Sequence, residues 1–228
     1  HEMIDIVDVD SEFSVAEYAT QARKHINDVL DEGKTPIIVG GTGLYFEALF
    51  YPMSFGNTAK NEEVRNSLED ELLQLGAEHM HDKLAEIDPE TAQKLHINDT
   101  RRVVRALEIA ICGGKTKSQS RDQMQKPDAL VVGLNTDRQK LYDRINRRVE
   151  VMFDEGLVNE VYSVGSFDYQ SMKAIGYKEF APYKPYIQDG KYFLTQSDEA
   201  DAKATIQKNT RNYAKRQLTW FRRYDFVN

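Results

Sequence analysis

A threonine flanked by glycines stands where a short apolar run gives way to a helical pattern, in the stretch TPIIVGGTGLYFEALF of residues 35–50. Backbone N–H groups at the start of a helix create a positive field that attracts anions, and Thr42 would add a hydroxyl. The spacing fails the dinucleotide fingerprint G-x-G-x-x-G, because counting from Gly41 places Phe46 at the third glycine, and it lacks the lysine of a Walker A loop. A binding site and a tight turn capped by Thr42 therefore explain these residues equally well.

Arg148 is a second candidate, in the helical pattern of residues 137–155. It lies at the edge of the apolar stripe and is expected to point inward, whereas Arg147 points away. The stripe consists of Leu141, Ile145, Val149 and Met152. A guanidinium that points inward needs an anionic partner. The alternatives are a buried salt bridge and a clamp on a phosphate group, whose oxygens match the forked donors of arginine.

Three further arginines, Arg101, Arg102 and Arg105, stand near the start of another helical pattern. Arg101 and Arg105 are four residues apart, so their side chains share a face of the helix. Basic side chains in the first turn of a helix oppose its dipole, which makes plain solvation a weak explanation. A phosphate partner is favoured, and a solvated face paired with Asp99 and Glu108 remains the alternative.

The last helical pattern, at residues 199–223, carries only basic charged side chains from Lys203 onward. Its two sides differ in character: Lys208, Arg211, Lys215 and Arg222 lie on one, and Ile206, Tyr213, Trp220 and Phe221 on the other. This arrangement predicts an amphipathic helix with a basic outer face. Such a face can contact a polyanion even on a protein of negative net charge.

Composition restricts the function classes. The chain has 228 residues and a formal net charge of −7, which argues against a protein that coats nucleic acid in general. No apolar run approaches the roughly 20 residues that a membrane-spanning helix needs. The single cysteine, Cys112, cannot form an internal disulfide and fits a reducing compartment. The histidines are scattered, so no zinc site is predicted.

The periodicity of apolar residues predicts an α/β fold. A helix at residues 14–30 begins with an S-x-x-E capping box, and runs that are apolar on both faces at 36–39 and 129–134 predict buried parallel strands. Only helical patterns appear between these strands, so we expect a core of residues 1–51 and 127–228 interrupted by a helical insertion at 52–126. Further helices are predicted at residues 62–75, 79–87, 99–112, 137–155 and 199–223.

Six segments together resemble one family, the tRNA dimethylallyltransferases, also called isopentenyl-tRNA transferases. They are IDIVDVDSEFSVAEY, PIIVGGTGLYFEALF, HINDTRRVVRALEI, RINRRVEVMFDEGLVNEV, KAIGYKE and RNYAKRQLTWFR. They occur in the order of the family and cover nearly the whole chain. No single segment is decisive, and the series is specific.

The resemblance implies a fold, a reaction and partners. The fold would be a P-loop-kinase-like core with a parallel sheet, carrying a helical insertion that grips the tRNA anticodon stem-loop. The reaction would transfer a dimethylallyl group from dimethylallyl diphosphate to N6 of the adenosine beside the anticodon (position 37), with Mg²⁺ accompanying the diphosphate. The expected partners are tRNA and dimethylallyl diphosphate, with no membrane, and the protein is expected to be a cytoplasmic monomer.

The resemblance also implies roles for individual residues. Thr42 matches the threonine that faces the reacting adenosine, and Arg148 matches the arginine that holds the diphosphate. The positions that match tRNA contacts are Thr42, Arg65, Arg101, Arg102, Val103, Val104, Arg105, Lys173, Ala174, Ile175, Gly176, Tyr177 and Lys178. The P-loop of the family and the acidic segment that supplies its general base would precede His1, so residues 1–228 alone are expected to be inactive.

Two other functions compete with this one. A kinase for a small-molecule nucleotide could use the same fold, although it would have little use for a basic helical insertion. A non-catalytic RNA-binding module would also fit the basic segments.

Overall fold

The computed structural model of the protein describes residues 1–51, 61–112 and 127–227. These residues fall into two compact units, His1–Leu49 with Asp128–Asn228 and Phe50–Pro127. The helices are α1 (Val15–Asp31), α2 (Gly43–Phe50), α3 (Glu62–Ile87), α4 (Pro89–Lys94), α5 (Thr100–Ile111), α6 (Arg138–Asp154), α7 (Leu157–Ser163) and α8 (Gln196–Phe221). Two short 3-10 helices, Ser171–Lys173 and Lys178–Phe180, precede strands β1 (Tyr186–Gln188) and β2 (Lys191–Phe193).

The long helices predicted from the sequence are confirmed. The capping box of α1 is present in full, because the Ser14 hydroxyl accepts from the N–H of Glu17 and the Glu17 carboxylate accepts from the N–H of Ser14. The patterns at 62–75 and 79–87 belong to one helix, α3, which is kinked at Gly76, where φ is +84°. The ends of the predicted insertion, at residues 52 and 126, lie outside the described residues.

The core of the first unit is built by α6, α7, the 3-10 helices and α8. Its buried side chains are Val149, Phe153, Leu157, Val158, Val161, Tyr162, Met172, Phe180, Leu194, Ala202 and Ile206. The Tyr162 hydroxyl donates to carbonyl oxygens of this unit, 2.9 Å from Phe180 O and 3.0 Å from Tyr183 O. Burial, with a smaller effect of nearby Asp198, raises the pKa of Tyr162 to about 12.

The second unit has its own core, formed by α3, α4 and α5. The buried side chains are Leu68, Met80, Leu84, Ala92, Val103, Val104 and Leu107. Glu71 lies before the kink of α3 and joins it to the following segment, because its carboxylate is 2.6 Å from Lys83 Nζ and 2.9 Å from His79 Nε2. The hydrogen bond from Lys83, followed by that from His79, lowers the pKa of Glu71.

A two-stranded antiparallel hairpin is the sheet that the described residues contain. Tyr186 pairs with Phe193, and the turn between the strands holds Asp189 and Gly190 at φ of +50° and +74°. An Asp-Gly pair suits this turn because both central positions need positive φ.

The buried strands predicted at residues 36–39 and 129–134 are not confirmed in the described residues. Neither segment is paired in a sheet within the described ranges, and both are largely exposed, with Val39 at 91% and Leu134 at 93%. The apolar composition of these segments suits burial on two faces, but no described strand lies beside them to supply the hydrogen bonds of a sheet.

None of the helices in the described ranges combines the length and the apolar character that crossing a lipid bilayer would require.

Candidate functional site

The GGTG turn packs against one face of α8. Gln217 Nε2 donates to the carbonyl oxygen of Gly41 at 2.7 Å, and Thr42 Oγ1 lies 3.1 Å from the Tyr213 hydroxyl. Gly43 meets the indole of Trp220 so closely that a Cβ at Gly43 would lie 2.1 Å from the ring. Residues 213, 217 and 220 share one face of the helix, so a single surface of α8 contacts three consecutive residues of the turn.

These contacts support the tight-turn interpretation of the glycines, and binding by Thr42 stays a prediction. Gly41 and Gly43 lack side chains because α8 occupies the space beside them, which is the tight-turn interpretation. The predicted cap by the Thr42 hydroxyl is not what the structure shows. The Thr42 carbonyl oxygen accepts hydrogen bonds from the N–H groups of Tyr45 and Phe46. The Thr42 hydroxyl instead forms a hydrogen bond with the Tyr213 hydroxyl, and the residue is exposed.

Helix α2 is held in place at both ends and along one side. The Arg23 guanidinium donates to the carbonyl oxygens of Ala48 (2.7 Å) and Leu49 (3.1 Å), which the end of the helix leaves without helical partners. Tyr18 of α1 stacks on Tyr45 with ring centroids 4.4 Å apart. The turn that precedes α2 is therefore attached to a rigid element.

A buried glutamate joins α2 to the end of α8. Glu47 Oε1 accepts from the Tyr224 hydroxyl at 2.7 Å and lies 3.1 Å from Arg223 Nη2. Burial of the phenol, followed by its hydrogen bond to Glu47, raises the pKa of Tyr224. A buried carboxylate without such partners would be strongly destabilising, so this contact ties the two helices together.

Arg148 does not point inward as predicted. Its side chain is exposed, while Val149 and Phe153 are the residues of α6 that enter the core. Arg148 is exposed and forms no ion pair within the described ranges, so the alternative of a buried salt bridge is wrong. A residue one position from Val149 is rotated by about 100° around the helix, which directs Arg148 away from the core. Binding of a phosphate group by Arg148 stays a prediction.

The arginines of the second unit are partly paired with acidic residues. Arg102 Nη1 lies 3.2 Å from Asp99 Oδ2, and Arg105 Nη1 lies 2.7 Å from Glu108 Oε1. Arg65 Nη2 lies 3.5 Å from the second oxygen of the same buried Glu108. The acidic partners that the sequence offered as an alternative explanation are therefore real for Arg102 and Arg105.

The remaining residues of this segment differ in accessibility. Arg101 is exposed and can reach a ligand. Val103 and Val104 are buried in the core of the second unit. Because α5 uses this apolar face to pack on α3, the side chains of Val103 and Val104 are covered, and their assignment to tRNA binding stays a prediction.

A further buried glutamate, Glu179, shapes the loop of residues 173–178. Gly176 has a φ of +101°, and its N–H donates to Glu179 Oε2 at 2.8 Å. Asn209 Nδ2 of α8 donates to the other carboxylate oxygen at 2.7 Å. Lys173, Ala174 and Lys178 are exposed, so the loop presents two cations from a backbone that α8 holds in place.

A cavity of about 310 Å³ lies beside this loop. Its lining combines apolar and polar side chains, among them Met152, Leu157, Ile175, Glu155, Glu160 and Tyr177. The Tyr177 hydroxyl donates to the Glu160 carboxylate, and this hydrogen bond, together with burial, raises the pKa of Tyr177 to about 12.

The basic outer face predicted for α8 is present with one exception. Lys208, Lys215 and Arg222 are exposed. Arg211 is half-buried and donates to Asn146 Oδ1 of α6 at 2.6 Å, so it joins two helices of the core.

Residues 1–224 match the family model described as IPP transferase.

The chain belongs to the IPP transferase family.

Relatives and solved structures agree with this membership. A tRNA dimethylallyltransferase of Bacillus cereus is 44% identical over 228 residues, and the match covers 97% of this chain and 69% of the relative. The crystal structure of a full-length tRNA isopentenylpyrophosphate transferase from Bacillus halodurans is 40% identical, with a TM-score of 0.62 and coverage of 100% of this chain and 70% of that one. A eukaryotic dimethylallyltransferase acting on tRNA is 28% identical with a TM-score of 0.73, over 94% of this chain and 54% of that one.

In this member of the IPP transferase family, sequence reasoning missed three residues of the first unit that hold the turn and the loop of residues 173–178, namely Glu47, Glu179 and Gln217. It also missed the contact between Tyr213 and Thr42. The spacing of Tyr213 and Trp220 placed both on the apolar side of α8, but it gave no sign that the GGTG turn would cover them. A signal did exist for Glu47, because an acid surrounded by apolar residues in LYFEALF is a candidate for a buried carboxylate.

Across residues 1–51, 61–112 and 127–227, no group of three or more His, Cys, Asp or Glu side chains is arranged to hold a metal ion. No step of a reaction is assigned to Mg²⁺, whose binding stays a prediction.

Packing of the turn on α8 predicts the effect of adding one methyl group. Replacing Gly43 by alanine places a Cβ against the Trp220 ring, so we expect the free energy of unfolding to fall by about 1–3 kcal/mol, as in other overpacked sites. Gly40→Ala is the matched control, because a Cβ there meets nothing within 4 Å. Urea unfolding of both variants measures the difference, and equal stabilities would contradict the packing.

Proposed function

We propose that the full-length protein transfers a dimethylallyl group from dimethylallyl diphosphate to N6 of the adenosine beside the tRNA anticodon. The observation that carries this proposal is the match of residues 1–224 to the IPP transferase family. That match includes the GGTG turn, in which the exposed Thr42 forms a hydrogen bond with Tyr213 of α8. A family of tRNA-modifying transferases also explains why exposed arginines and lysines occur on a chain of net charge −7.

The chemistry explains which groups the reaction needs. The N6 lone pair forms a bond to C1 of the dimethylallyl group, the C1–O bond breaks, and diphosphate leaves with the bonding electrons. The N6 nitrogen then loses a proton to a general base, which we assign to no residue of this chain. Adenosine N6 is a weak nucleophile, so an acceptor that orients its N–H and cations that stabilise the leaving diphosphate both lower the barrier.

Thr42 is proposed as the residue that orients N6. Its hydroxyl is exposed, and its backbone is held because Gln217 binds the preceding carbonyl and Trp220 packs on the following glycine. A hydroxyl oxygen can accept a hydrogen bond from an amino group. The target base must leave its stack to reach this position, which costs less in an anticodon loop than in a duplex.

Arg148 is proposed to bind the diphosphate. Its guanidinium is exposed on α6 and, in the described part of the chain, is not taken up by an ion pair. Arginine can contact two phosphate oxygens at once, and its charge offsets the charge that develops on the departing group.

The tRNA contacts are proposed to come from both units. In the second unit, Arg101 is exposed, and Arg102 keeps 72% of its side chain exposed despite its pair with Asp99. Arg65 and Arg105 are about one-third exposed and share Glu108. In the first unit, Lys173 and Lys178 project from the loop that Glu179 holds. Each of these cations can neutralise a backbone phosphate.

The parallel sheet of a P-loop-kinase-like core is also a proposal. Its support is the composition of residues 36–39 and 129–134, which are apolar on both faces as in strands of parallel sheets. Exposed side chains such as Ile37 and Leu130 would gain about 1.5–3 kcal/mol each on full burial.

Three further properties are proposed with the function. Mg²⁺ would be bound mainly by diphosphate oxygens, because this ion is usually held by substrate phosphates with only one or two carboxylates. A cytoplasmic location agrees with the free thiol of Cys112. A monomer stays an expectation.

Transfer of label tests the function directly. The full-length protein is incubated with dimethylallyl diphosphate labelled in its carbon chain and with tRNA that carries adenosine or guanosine at the modified position. We expect label in the tRNA only when adenosine is present. Transfer of phosphate from ATP to a small acceptor, with no label in tRNA, would instead identify a kinase.

Two sets of arginine variants separate the proposed roles. Arg148→Ala should lower kcat by about 100-fold with little change in the Kd for tRNA, since it removes stabilisation of the leaving group. Its control is Arg147→Ala, an exposed neighbour on α6. Arg101→Ala should raise the Kd for tRNA and reduce its salt dependence by a slope of about 1, with kcat retained. If Arg148→Ala weakens tRNA binding as much as Arg101→Ala does, Arg148 has been assigned wrongly.

A further inference from the structure

The hydroxyl of Tyr213 contacts the hydroxyl of Thr42. Tyr213 is half-buried in α8, one turn before Gln217, and the guanidinium carbon of Arg216 lies 5.6 Å from the centre of its ring. The helix and the Arg216 side chain therefore hold the ring, and the phenol oxygen ends 3.1 Å from Thr42 Oγ1.

The backbone of Thr42 is already held without Tyr213. Gln217 binds the carbonyl oxygen of Gly41, and the Trp220 ring closes on Gly43. What these contacts leave undetermined is the torsion of the threonine side chain, which can occupy several staggered rotamers. The hydrogen bond to Tyr213 selects the one in which Oγ1 points along the face of α8.

The hydrogen-bonding capacity of the two hydroxyls fits a role in presenting an acceptor. A threonine hydroxyl has one proton to donate and two lone pairs to accept with. When Thr42 donates its proton to the Tyr213 oxygen, both lone pairs of Oγ1 remain for an incoming N–H. An adenosine N6 amino group offers such an N–H, and accepting it increases electron density on the nitrogen that must attack.

An explanation in terms of stability alone is weak. Thr42 is exposed, so water competes for the hydrogen bond between the two hydroxyls. The packing of the turn is supplied by Gln217 and Trp220, which are the contacts a structural role would need.

We propose that Tyr213 is a positioning residue for prenyl transfer, whose phenol orients the Thr42 hydroxyl toward N6 of the acceptor adenosine. This inference rests on the proposed function, because it takes Thr42 to face the adenosine. It predicts that the effect of Tyr213 on the reaction passes through Thr42.

A double-mutant cycle in the full-length protein tests this. Tyr213→Phe removes only the phenolic oxygen and should lower kcat by about 5- to 20-fold, which lies within the range of couplings between residues in contact, with unchanged KM values for dimethylallyl diphosphate and for an anticodon stem-loop RNA. In a protein that already carries Thr42→Ala, Tyr213→Phe should have no further effect. Tyr186→Phe, which removes a hydroxyl from an exposed tyrosine of β1, is the matched control and should leave kcat unchanged.

The possible results are distinguishable. A kcat of the Tyr213→Phe protein equal to that of the parent overturns the inference and leaves the transferase function intact. The inference is also overturned if the two substitutions lower kcat independently, or if Tyr213→Phe lowers the Tm and raises the KM for RNA together, as general loosening of the turn would. Absence of prenyl transfer by the parent protein contradicts the proposed function, and this inference with it.

Discussion

The close packing of one face of α8 on the GGTG turn is the constraint on which the site depends. Trp220 leaves no room for a side chain at Gly43, and Gln217 holds the carbonyl of Gly41. The same helix reaches the loop of residues 173–178 through Asn209 and Glu179. Helix α8 therefore connects the turn that carries Thr42 with the loop that carries Lys173 and Lys178, and α8 itself packs on α6 and on the 3-10 helix Lys178–Phe180.

Three buried glutamates hold neighbouring elements in place within their own units. Glu47 joins α2 to the end of α8, Glu179 holds the loop of residues 173–178, and Glu108 gathers Arg65 and Arg105 in the second unit. A buried carboxylate is costly unless it is paired, so each of these glutamates fixes the positions of the groups that pair with it. Glu179 and Glu108 thereby hold residues that are proposed to contact tRNA.

Local signals made much of the fold predictable. The capping box at Ser14, the apolar periodicity and the glycine at the kink of α3 are encoded within a few residues, and the helices they predict are present. The orientation of Arg148 and the exposure of residues 36–39 were not predictable in this way, because they depend on which neighbours cover a helix or strand. Family resemblance located Thr42 but gave no sign of Tyr213, whose contact spans 171 positions of the chain.

The distance from Thr42 Oγ1 to N6 of the acceptor adenosine is the most direct test of these relationships. It can be measured in a crystal structure of the full-length protein bound to an anticodon stem-loop RNA. We expect a separation of about 3 Å, with the hydroxyl of Tyr213 still bonded to Thr42 and the turn still seated on Trp220. An adenosine bound elsewhere, or a Thr42 side chain turned away from N6, would contradict the role of the turn in presenting the acceptor.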